Sequence, residues 1–524
     1  MTVRRSGLLL PLFSCPTTTS WGIGDISSVR PVTRWLAGAG QRALQLLPLS
    51  EMAADEQSPY SALSAMAIDP LYIDVRDLPD FAATGGEDAL DPVDRDALAH
   101  LRAARRVEYP LVRRLKRLAL ERAFEKFVEA EWRQGTARAA GLAAFIAAEG
   151  AWLKDYALFR SLHAEHHEAP WATWPDLLRD RDPDALEQTR DRLGGRVLFH
   201  QYLQWTADRQ WQAARQAARA NGVSLLGDLP FMVDTDSADV WARRQDFDLD
   251  VSVGVPPDAF SATGQDWGMP LYRWDVVAAN DFTWLRQRAA RTASLFDGYR
   301  IDHLVGFYRT YGRPRIGGEP FFTPAAEPDQ ISLGERLLDV FRSAGAEVIA
   351  EDLGVVPDFV RASLERLGVP GFRVFRWERF WNEAGQPFRD PADYPAVSVA
   401  ISGTHDTETL AAWWDQAPGD ERRLVGQLPS VGQKTGETDL SRRPFDPIIR
   451  DAIIESLLGS SSNLVLLAFQ DVFGWRDRIN EPATVSAHNW TFRLPWPADR
   501  LNESAEASER QQSLQRWTLE YHRV

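Results

Sequence analysis

Short apolar segments alternate with amphipathic helical segments through the second half of the chain, and this alternation constrains the fold more than any other feature. A helix predicted over 201–221 ends at Asn221 and Gly222, a usual C-terminal signal, and a strand follows at once. One stripe of that helix is apolar and contains Leu203, Ala207, Trp211, Ala214 and Ala218. The same pattern predicts helices over 283–296, 331–344 and 357–367 and strands over 297–303, 347–351 and 372–377. Repeated alternation of this kind indicates a parallel sheet covered by helices.

Eight apolar segments are candidates for the strands of that sheet. They span 7–13, 43–48, 223–228, 298–302, 347–351, 372–377, 397–401 and 464–469. Eight is the strand number of a (β/α)8 TIM barrel, so we predict an α/β fold in which residues 1–524 form a single catalytic barrel. The first segment follows two arginines and resembles a secretion signal. Its apolar run of about six residues contains Pro11 and is shorter than the 7 to 15 that a signal needs, so we interpret it as a strand.

Two long connections interrupt the predicted barrel. Residues 50–200, between the second and third strands, are rich in Ala, Leu, Arg and Glu with amphipathic spacing, which predicts an inserted, mainly helical subdomain. Residues 231–275 form a second connection, and loops of that length in compact domains are usually functional or disordered. Trp267 lies there among glycines and a proline, so we predict a substrate loop. The chain has 20 tryptophans; aromatic faces suit sugar rings, but Trp205, Trp211 and Trp284 are predicted to lie in the core.

The composition excludes several kinds of partner. A net charge of −15 and a pI near 5.2 argue against a nucleic acid or an anionic membrane surface, since both require clustered Lys and Arg. No segment approaches the about 20 apolar residues of a membrane span. The only cysteine is Cys15, which excludes an internal disulfide and favours the cytoplasm. A neutral substrate fits these properties best.

Three acidic residues stand at the ends of apolar segments. They are Asp302 in GYRIDH, Glu351 in EVIAEDLG and Asp406 in VSVAISGTHD. The intervals of 49 and 55 residues each leave room for a strand, a helix and loops, so the three are expected on successive strands. The C-terminal rim of a (β/α)8 barrel is where its enzymes hold their catalytic groups. Two carboxyl groups facing one sugar suffice to cleave a glycosidic bond.

Arg300 and Asp302 are two residues apart in a predicted strand and therefore share a face, about 6.6 Å apart along it. A guanidinium there keeps the carboxylate ionised, as the nucleophile of a retaining glycosidase must be. The alternative is a structural ion pair at a strand end, which is the commoner meaning of an isolated Arg-x-Asp.

Glu351 follows the apolar residues 348–350 and is expected to emerge from a buried strand. Burial and neighbouring Asp charges would raise its pKa and keep it protonated as a general acid. Alternatively Glu351 caps the helix that begins near Pro357, although Asp352 could do that instead.

Asp406 follows His405, and a carboxylate beside an imidazole can hold two adjacent sugar hydroxyls. An incidental polar turn or a metal ligand is the alternative. The chain has nine histidines and no CxxC motif, so we predict no metal site.

From about residue 7 to 495 the chain resembles the 4-α-glucanotransferases of the amylomaltase type, glycoside hydrolase family 77, which is related to the α-amylase clan. The motifs that carry the resemblance are WGIGD (21–25), GQRALQLLPL (40–49), SPYSALSA (58–65), WLKDYALF (152–159), GDLPFMV (227–233), PPDAFSATGQDWGMPLYRW (256–274), YRIDH (299–303), AEDLG (350–354), GTHDTETL (403–410) and INEPATVSAHNWTFR (479–493).

The resemblance implies roles for matching residues. Asp302 would be the nucleophile, Glu351 the acid/base and Asp406 the transition-state stabiliser. Residues implied to shape the donor sugar site are Asp228, Arg300 and His405. Residues implied to contact neighbouring glucose units are Tyr60, Gln265, Trp267 and Asn489.

The resemblance also implies an activity: transfer of α-1,4-glucan segments between malto-oligosaccharides, with glucose as a further acceptor, by retaining double displacement without a cofactor. The alternatives are an α-1,4-glucan hydrolase of the α-amylase clan and a catalytically idle glycan-binding protein. About 50 residues follow the eighth predicted strand, so no C-terminal β domain of the kind usual in such hydrolases is expected. The chain departs from the family at Asp69 in AIDPLYI and Met269 in WGMPLY, where Asn before Pro is usual, so chain-length and acceptor preferences are open.

Overall fold

The computed structural model describes residues 4–257, 263–482, 484 and 486–523. Within this part of the chain, eight parallel strands form a closed barrel, and each pairs with its neighbours in chain order while the last pairs with the first. They are β1 (Arg5–Leu9), β2 (Ala43–Gln45), β3 (Ser224–Leu229), β4 (Gly298–Ile301), β5 (Glu347–Ala350), β6 (Gly371–Val374), β7 (Ser398–Ile401) and β8 (Leu464–Ala468). All eight predicted strands are present, and the predicted barrel is confirmed.

The strands end earlier than predicted at several places. The first segment, expected over 7–13, leaves the sheet after Leu9, and residues Leu12–Ser14 form a 3-10 helix. Pro11 has no amide hydrogen to donate to a neighbouring strand, which explains the early end. The predicted strand over 372–377 likewise ends at Val374.

The barrel interior is filled by apolar side chains, so it is a packed core rather than a channel. The cluster consists of Ala43, Leu226, Ile349, Phe372, Val374, Val399, Ile401, Leu464 and Leu466. Catalytic groups therefore have room only at the rims, where the loops that follow the strands lie.

Helices cover the outside of the barrel. They include the helices Val29–Gly38, Gly194–Ala220, Thr283–Leu295, Glu327–Arg342, Asp358–Leu367, Leu410–Gln416, Pro447–Leu458 and Ala505–Glu520. Others span Trp274–Ala279, Val305–Tyr308, Gly419–Gly426, Pro429–Thr435 and Phe469–Phe473. The helix predicted over 201–221 begins earlier, at Gly194, and its predicted apolar stripe is buried throughout. The three tryptophans predicted for the core are also buried.

The insertion between β2 and β3 is mainly helical, as predicted. Its helices span Pro79–Ala83, Pro92–Ala103, Tyr109–Phe127, Ala137–Ala148, Gly150–Glu165, Asp176–Arg179 and Pro183–Arg192. Asp91 and Asp182 cap two of them, each followed by a proline in the first turn, the position at which proline is best tolerated. That residues 50–200 form a separate subdomain remains a prediction.

Residues 231–275 are more ordered than the predicted loop. They contain the helix Ala238–Ala242 and two antiparallel strands, Phe247–Val255 and Gln265–Tyr272. Strands Thr310–Pro314 and Phe321–Thr323 extend this pair to a four-stranded sheet, which was not predicted. Residues 258–262 of the predicted substrate loop lie outside the described residues.

Two further features concern the C-terminal segment and the helices. The described residues that follow β8 form helices and loops without a further strand, ending in the 3-10 helix Ala498–Glu503 and the helix Ala505–Glu520. Among the described residues, no helix is both long and apolar enough to cross a membrane.

Candidate active site

Asp302 and Glu351 lie side by side at the C-terminal rim of the barrel. Asp302 comes directly after β4 and Glu351 directly after β5. The amide of Glu351 donates to the carbonyl of Ile301 (3.1 Å), and the amide of His303 donates to Glu351 Oε2 (2.7 Å). The loop that holds the first carboxylate thus also fixes the second.

The third carboxylate is not on the next strand. The sequence led us to expect the three on successive strands, but β6 separates β5 from β7, and Asp406 lies in the loop after β7. The interval of 55 residues therefore contains a whole additional strand.

Arg300 joins two carboxylates at the mouth of the barrel. Its Nη2 donates to Asp302 Oδ1 and its Nη1 to Asp228 Oδ2, both at 2.5 Å. Asp228 on β3 lies opposite Arg300 on β4 in the strand register, which accounts for that contact. The side chains of Arg300 and Asp228 are 5% and 0% exposed, whereas that of Asp302 is 29% exposed. Asp302 is therefore the carboxylate of this group that a ligand can reach.

Burial opposes the positive charge of Arg300, but Asp228 and Asp302 outweigh it, and the pKa of Arg300 lies above its usual value. The guanidinium remains a cation beside Asp302, and the contact predicted from their spacing is present.

Glu351 has an environment suited to a proton carrier. Burial is the main cause that raises the pKa of Glu351 to about 7; Arg300 opposes this rise and Asp302 adds to it. A carboxyl group with such a pKa can both donate and accept a proton near neutral pH.

Asp352, the other acidic residue that could cap the following helix, instead contacts the neighbouring strand. It is buried, its Oδ1 accepts from the amide of Phe372 (2.7 Å), and Arg373 Nη1 lies 3.3 Å from its Oδ2. The helix Asp358–Leu367 starts after Pro357 without a side-chain cap. Neither acidic residue caps that helix, so the capping alternative for Glu351 is wrong.

Asp406 forms an ion pair with the histidine before it. His405 Nε2 lies 3.1 Å from Asp406 Oδ2, and Asn480 Nδ2 donates to Asp406 Oδ1 (2.6 Å). Burial would raise the pKa of Asp406, but His405 and Asn480 outweigh it and lower the pKa to about 2. For His405, burial favours the neutral ring, yet Asp406 raises its pKa above the usual value. The pair is therefore charged over a wide pH range.

Tyr60 connects the helical insertion with the barrel rim. Its hydroxyl donates to Asp228 Oδ2 (2.8 Å), and its ring stacks on that of His405 with centroids 5.1 Å apart. Trp490 packs against both rings, at 5.8 and 5.6 Å. Asp228 Oδ1 is buried and has no hydrogen-bond partner among the described residues.

Trp267 and Gln265 come from the antiparallel sheet. Trp267 Nε1 donates to Gln265 Oε1 (3.1 Å), and the indole meets the ring of His303 edge to face with centroids 4.9 Å apart. Since His303 follows Asp302 in the chain, the sheet reaches the same rim as the carboxylates.

Asn489 is engaged within its own loop. Its Oδ1 accepts from the amide of Glu481 (3.1 Å), and its Nδ2 donates to the carbonyl of Thr484 (3.1 Å). The loop also contains Asn480, so Asn489 supports the group that binds Asp406. Its direct contact with a sugar remains a prediction.

The sequence did not identify Asn480, Trp490 or the amide of His303 as parts of the site. Asn480 lies 74 residues from its partner in the chain, and the only signal was its place in the INEP motif.

The two departures from the family have different surroundings. Asp69 is buried and accepts from the amides of Leu71 (2.8 Å) and Met52 (3.1 Å), capping the 3-10 helix Pro70–Tyr72. Burial raises the pKa of Asp69 to about 6. Met269 is half-buried in the strand that holds Trp267.

Comparison with known proteins agrees with this geometry. A sequence model of glycoside hydrolase family 77, described as 4-α-glucanotransferase, matches residues 10–499. The chain is 35% identical over 528 residues to a 4-α-glucanotransferase of Thermus thermophilus, covering 97% of this chain and 99% of that protein. It is 32% identical over 507 residues to one of Chlamydia pneumoniae, covering 94% and 91%. The solved amylomaltase of Streptococcus agalactiae in complex with acarbose superimposes with a TM-score of 0.82 at 25% identity over 99% of both chains. The chain therefore belongs to the 4-α-glucanotransferases of glycoside hydrolase family 77, and the transferase prediction is confirmed over the hydrolase and glycan-binding alternatives.

Proposed function

We propose that Asp302 is the nucleophile, Glu351 the acid/base and Asp406 the transition-state stabiliser of this transferase. The contrast between two of the carboxyl groups supports this assignment of roles. The pKa of Glu351 is raised to about 7, whereas that of Asp406 is lowered to about 2. Environments that separate the pKa values of neighbouring carboxyl groups indicate which is the acid. Asp302, partly exposed and bound by Arg300, is left as the group that attacks.

The first half-reaction forms a glycosyl-enzyme. Asp302 attacks C1 of the glucose unit in the donor site while the bond between C1 and the glycosidic oxygen breaks. Glu351 gives its proton to that oxygen, and the shortened glucan leaves with a free 4-hydroxyl. Arg300 stays bound to the other side of the Asp302 carboxylate and holds it in position.

The second half-reaction restores the enzyme. The 4-hydroxyl of an acceptor attacks C1, Glu351 takes its proton, and the bond to Asp302 breaks. Two inversions at C1 give retention of the α configuration. The same Glu351 acts as acid and then as base, which its pKa near 7 permits.

Asp406 and His405 are suited to hold sugar hydroxyls. The Asp406 side chain is 42% exposed and ionised, so it can accept from a hydroxyl while its other contacts persist. Such contacts strengthen as the ring approaches an oxocarbenium ion. Asp228, whose side chain is fully buried, shapes the same site by holding Arg300 and the hydroxyl of Tyr60.

Malto-oligosaccharides are the proposed donors and acceptors, with glucose as a further acceptor and no cofactor. The likeness to an amylomaltase solved with acarbose supports this substrate class. Tyr60, Trp267, Gln265 and Asn489 are the proposed contacts to neighbouring glucose units; two of them offer aromatic faces to sugar rings. We also propose that the protein acts in the cytoplasm, because its single cysteine, Cys15, is free and buried.

Incubation with maltotriose alone tests the substrate assignment. We expect glucose together with a ladder of longer oligosaccharides, without added metal or nucleotide and without an effect of a chelator. Products that are all shorter than maltotriose would contradict transfer between malto-oligosaccharides. Trapping with a fluorinated glucosyl donor, followed by peptide mapping, should label Asp302; a label on another residue would refute its role.

A further inference from the structure

A second cleft, of about 890 Å³, lies between segments 16–18, 102–106 and 492–500, with Trp475 and Asp477 at one side. No residue assigned above to the active site is among the described residues that line it. Backbone hydrogen bonds join its walls: Val107 to Thr491 (3.0 Å), Leu494 to Ser14 (2.8 Å) and Ala498 to Pro16 (2.8 Å). The cleft is therefore held open by the fold rather than by flexible side chains.

Aromatic rings form one side of this cleft. Trp475 lies 5.5 Å from Trp496 and 6.2 Å from Phe492, centroid to centroid. Both tryptophans are half-buried, so parts of their faces and edges remain accessible. Partly exposed indoles in a fixed cluster offer a surface on which the ring of a ligand can pack.

The other side of the cleft is strongly positive. Five arginines line it, namely Arg102, Arg105, Arg106, Arg493 and Arg500, whereas Asp477 is the only acidic residue among the described lining residues. The whole chain has a net charge of −15, so this concentration of positive charge runs against its average. Clefts lined by one sign of charge attract ligands of the other sign.

Of these five arginines, only Arg102 has a carboxylate within 3 Å among the described residues, and Arg105 and Arg493 have none within 4 Å. Arg102 is paired with Glu87 (2.7 Å), but Arg106 lies 3.7 Å from Asp477. Within the described part of the chain, Arg105 is exposed and its side chain has no partner.

Arg493 and Arg500 add to the excess. Within the described part of the chain, the Arg493 side chain donates only to the carbonyls of Leu101 (2.8 Å) and Arg102 (3.3 Å), and burial lowers its pKa to about 10. Asp499 accepts from the amide and hydroxyl of Thr18, at 2.8 and 2.6 Å. Among the described residues, Glu503 forms an ion pair with Arg500 at the long distance of 3.9 Å.

The lining therefore consists mainly of hydrogen-bond donors. A neutral sugar needs acceptors as well, since each hydroxyl also donates. A phosphate has only acceptors at neutral pH and matches guanidinium groups in charge and geometry. We propose that this cleft binds a phosphorylated metabolite, with its phosphate on the arginines and its ring on Trp475 and Trp496. A sugar phosphate and a nucleotide share this chemistry.

Calorimetric titration of the full chain tests the proposal. The probes are glucose 1-phosphate, ADP, inorganic phosphate and maltose. We expect at least one of the two organic phosphates to bind at least about tenfold more tightly than inorganic phosphate, with an affinity that falls as salt increases. The two organic phosphates distinguish a sugar from a base as the ring. Saturating maltotriose should leave the binding unchanged, because the active site is elsewhere.

Two arginine variants locate the binding. Arg105→Gln should weaken it about tenfold, the effect of losing roughly 1.4 kcal/mol of a charge-assisted contact. Arg342→Gln is the matched control, since Arg342 is also exposed and its side chain has no partner among the described residues. The proposal is overturned if neither organic phosphate binds, if Arg105→Gln and the control behave alike, if inorganic phosphate binds as tightly, or if maltose or maltotriose competes.

Discussion

Glu351→Gln separates the two roles proposed for Glu351 and should leave the fold intact. Its Oε2 and Oε1 accept from the amides of His303 (2.7 Å) and Leu353 (3.2 Å), and the Gln amide oxygen can keep one of these bonds. The folded-state pKa of about 7 lies above the unfolded value of 4.5, so the ionisation of Glu351 costs stability as the pH rises through this range. At pH 8 that cost is on the order of 3 kcal/mol, and Gln avoids it. Urea denaturation at pH 8 should show a variant at least as stable as the wild type.

The activity of Glu351→Gln should depend on the leaving group. A natural glucan needs a proton on its departing oxygen, so kcat with maltotriose should fall by about 10²- to 10⁴-fold. Fluoride leaves an α-glucosyl fluoride without that proton, so formation of the glycosyl-enzyme from this donor should be largely preserved. Azide needs no general base, so adding it should restore turnover and give an α-glucosyl azide, because two inversions amount to retention.

Two outcomes would refute this reasoning. A β-configured azide would mean direct displacement without an intermediate on Asp302. Absence of rescue with either donor would mean that Glu351 is structural and that another group supplies the proton. Asp352→Asn is the control, since Asp352 contacts Phe372 and Arg373 on the neighbouring strand and should affect both donors alike.

Three further changes test other parts of the site and the fold. Asp302→Asn should lower kcat by roughly 10⁴-fold without unfolding, whereas the exposed control Asp176→Asn should have no effect in the same maltotriose assay; equal effects would contradict the nucleophile assignment. Asn480→Ala removes a contact that lowers the pKa of Asp406, so activity should be lost at a higher pH on acidification than in the wild type; an unchanged acid limb of kcat/KM would argue against it. Burial raises the pKa of Asp69 to about 6, so ionisation of this residue destabilises the fold as the pH rises. From pH 4 to pH 7 the wild type should therefore lose on the order of 2 kcal/mol of unfolding free energy relative to Asp69→Asn. A difference between the two proteins in urea denaturation that does not change with pH would contradict this.

The barrel was predictable because each of its elements has a local signal. The stripe that includes Leu203 and Trp211 is confined to one helix, and the apolar segments of the strands are continuous. No local signal predicts the antiparallel sheet as a whole, although its strand Phe247–Val255 alternates apolar and polar residues at its start. That strand pairs with Thr310–Pro314, which is about 60 residues away in the chain. The pairing therefore depends on the closed barrel, which brings the two strands together.

The same distinction applies to the site. Arg300 and Asp302 are two residues apart, and their contact follows from strand geometry alone. The raised pKa of Glu351 was also predictable, since Glu351 directly follows a run of buried apolar residues. The contact between Asn480 and Asp406 was not, because it joins two rim loops whose approach depends on the order of strands in the barrel.

The donor site is thus completed by segments that are remote in sequence. Tyr60 comes from the helical insertion, Trp267 from the antiparallel sheet and Asn480 from the loop after β8. The barrel rim supplies the carboxylates, Arg300 and His405, and the roles proposed for the carboxylates are the same whether water or a sugar is the acceptor. We therefore expect the difference between transfer and hydrolysis to depend on Tyr60 and Trp267, which the inserted segments bring to the rim beside the carboxylates. Changes in these segments should alter the ratio of transfer to hydrolysis, whereas changes in the carboxylates should lower both rates together.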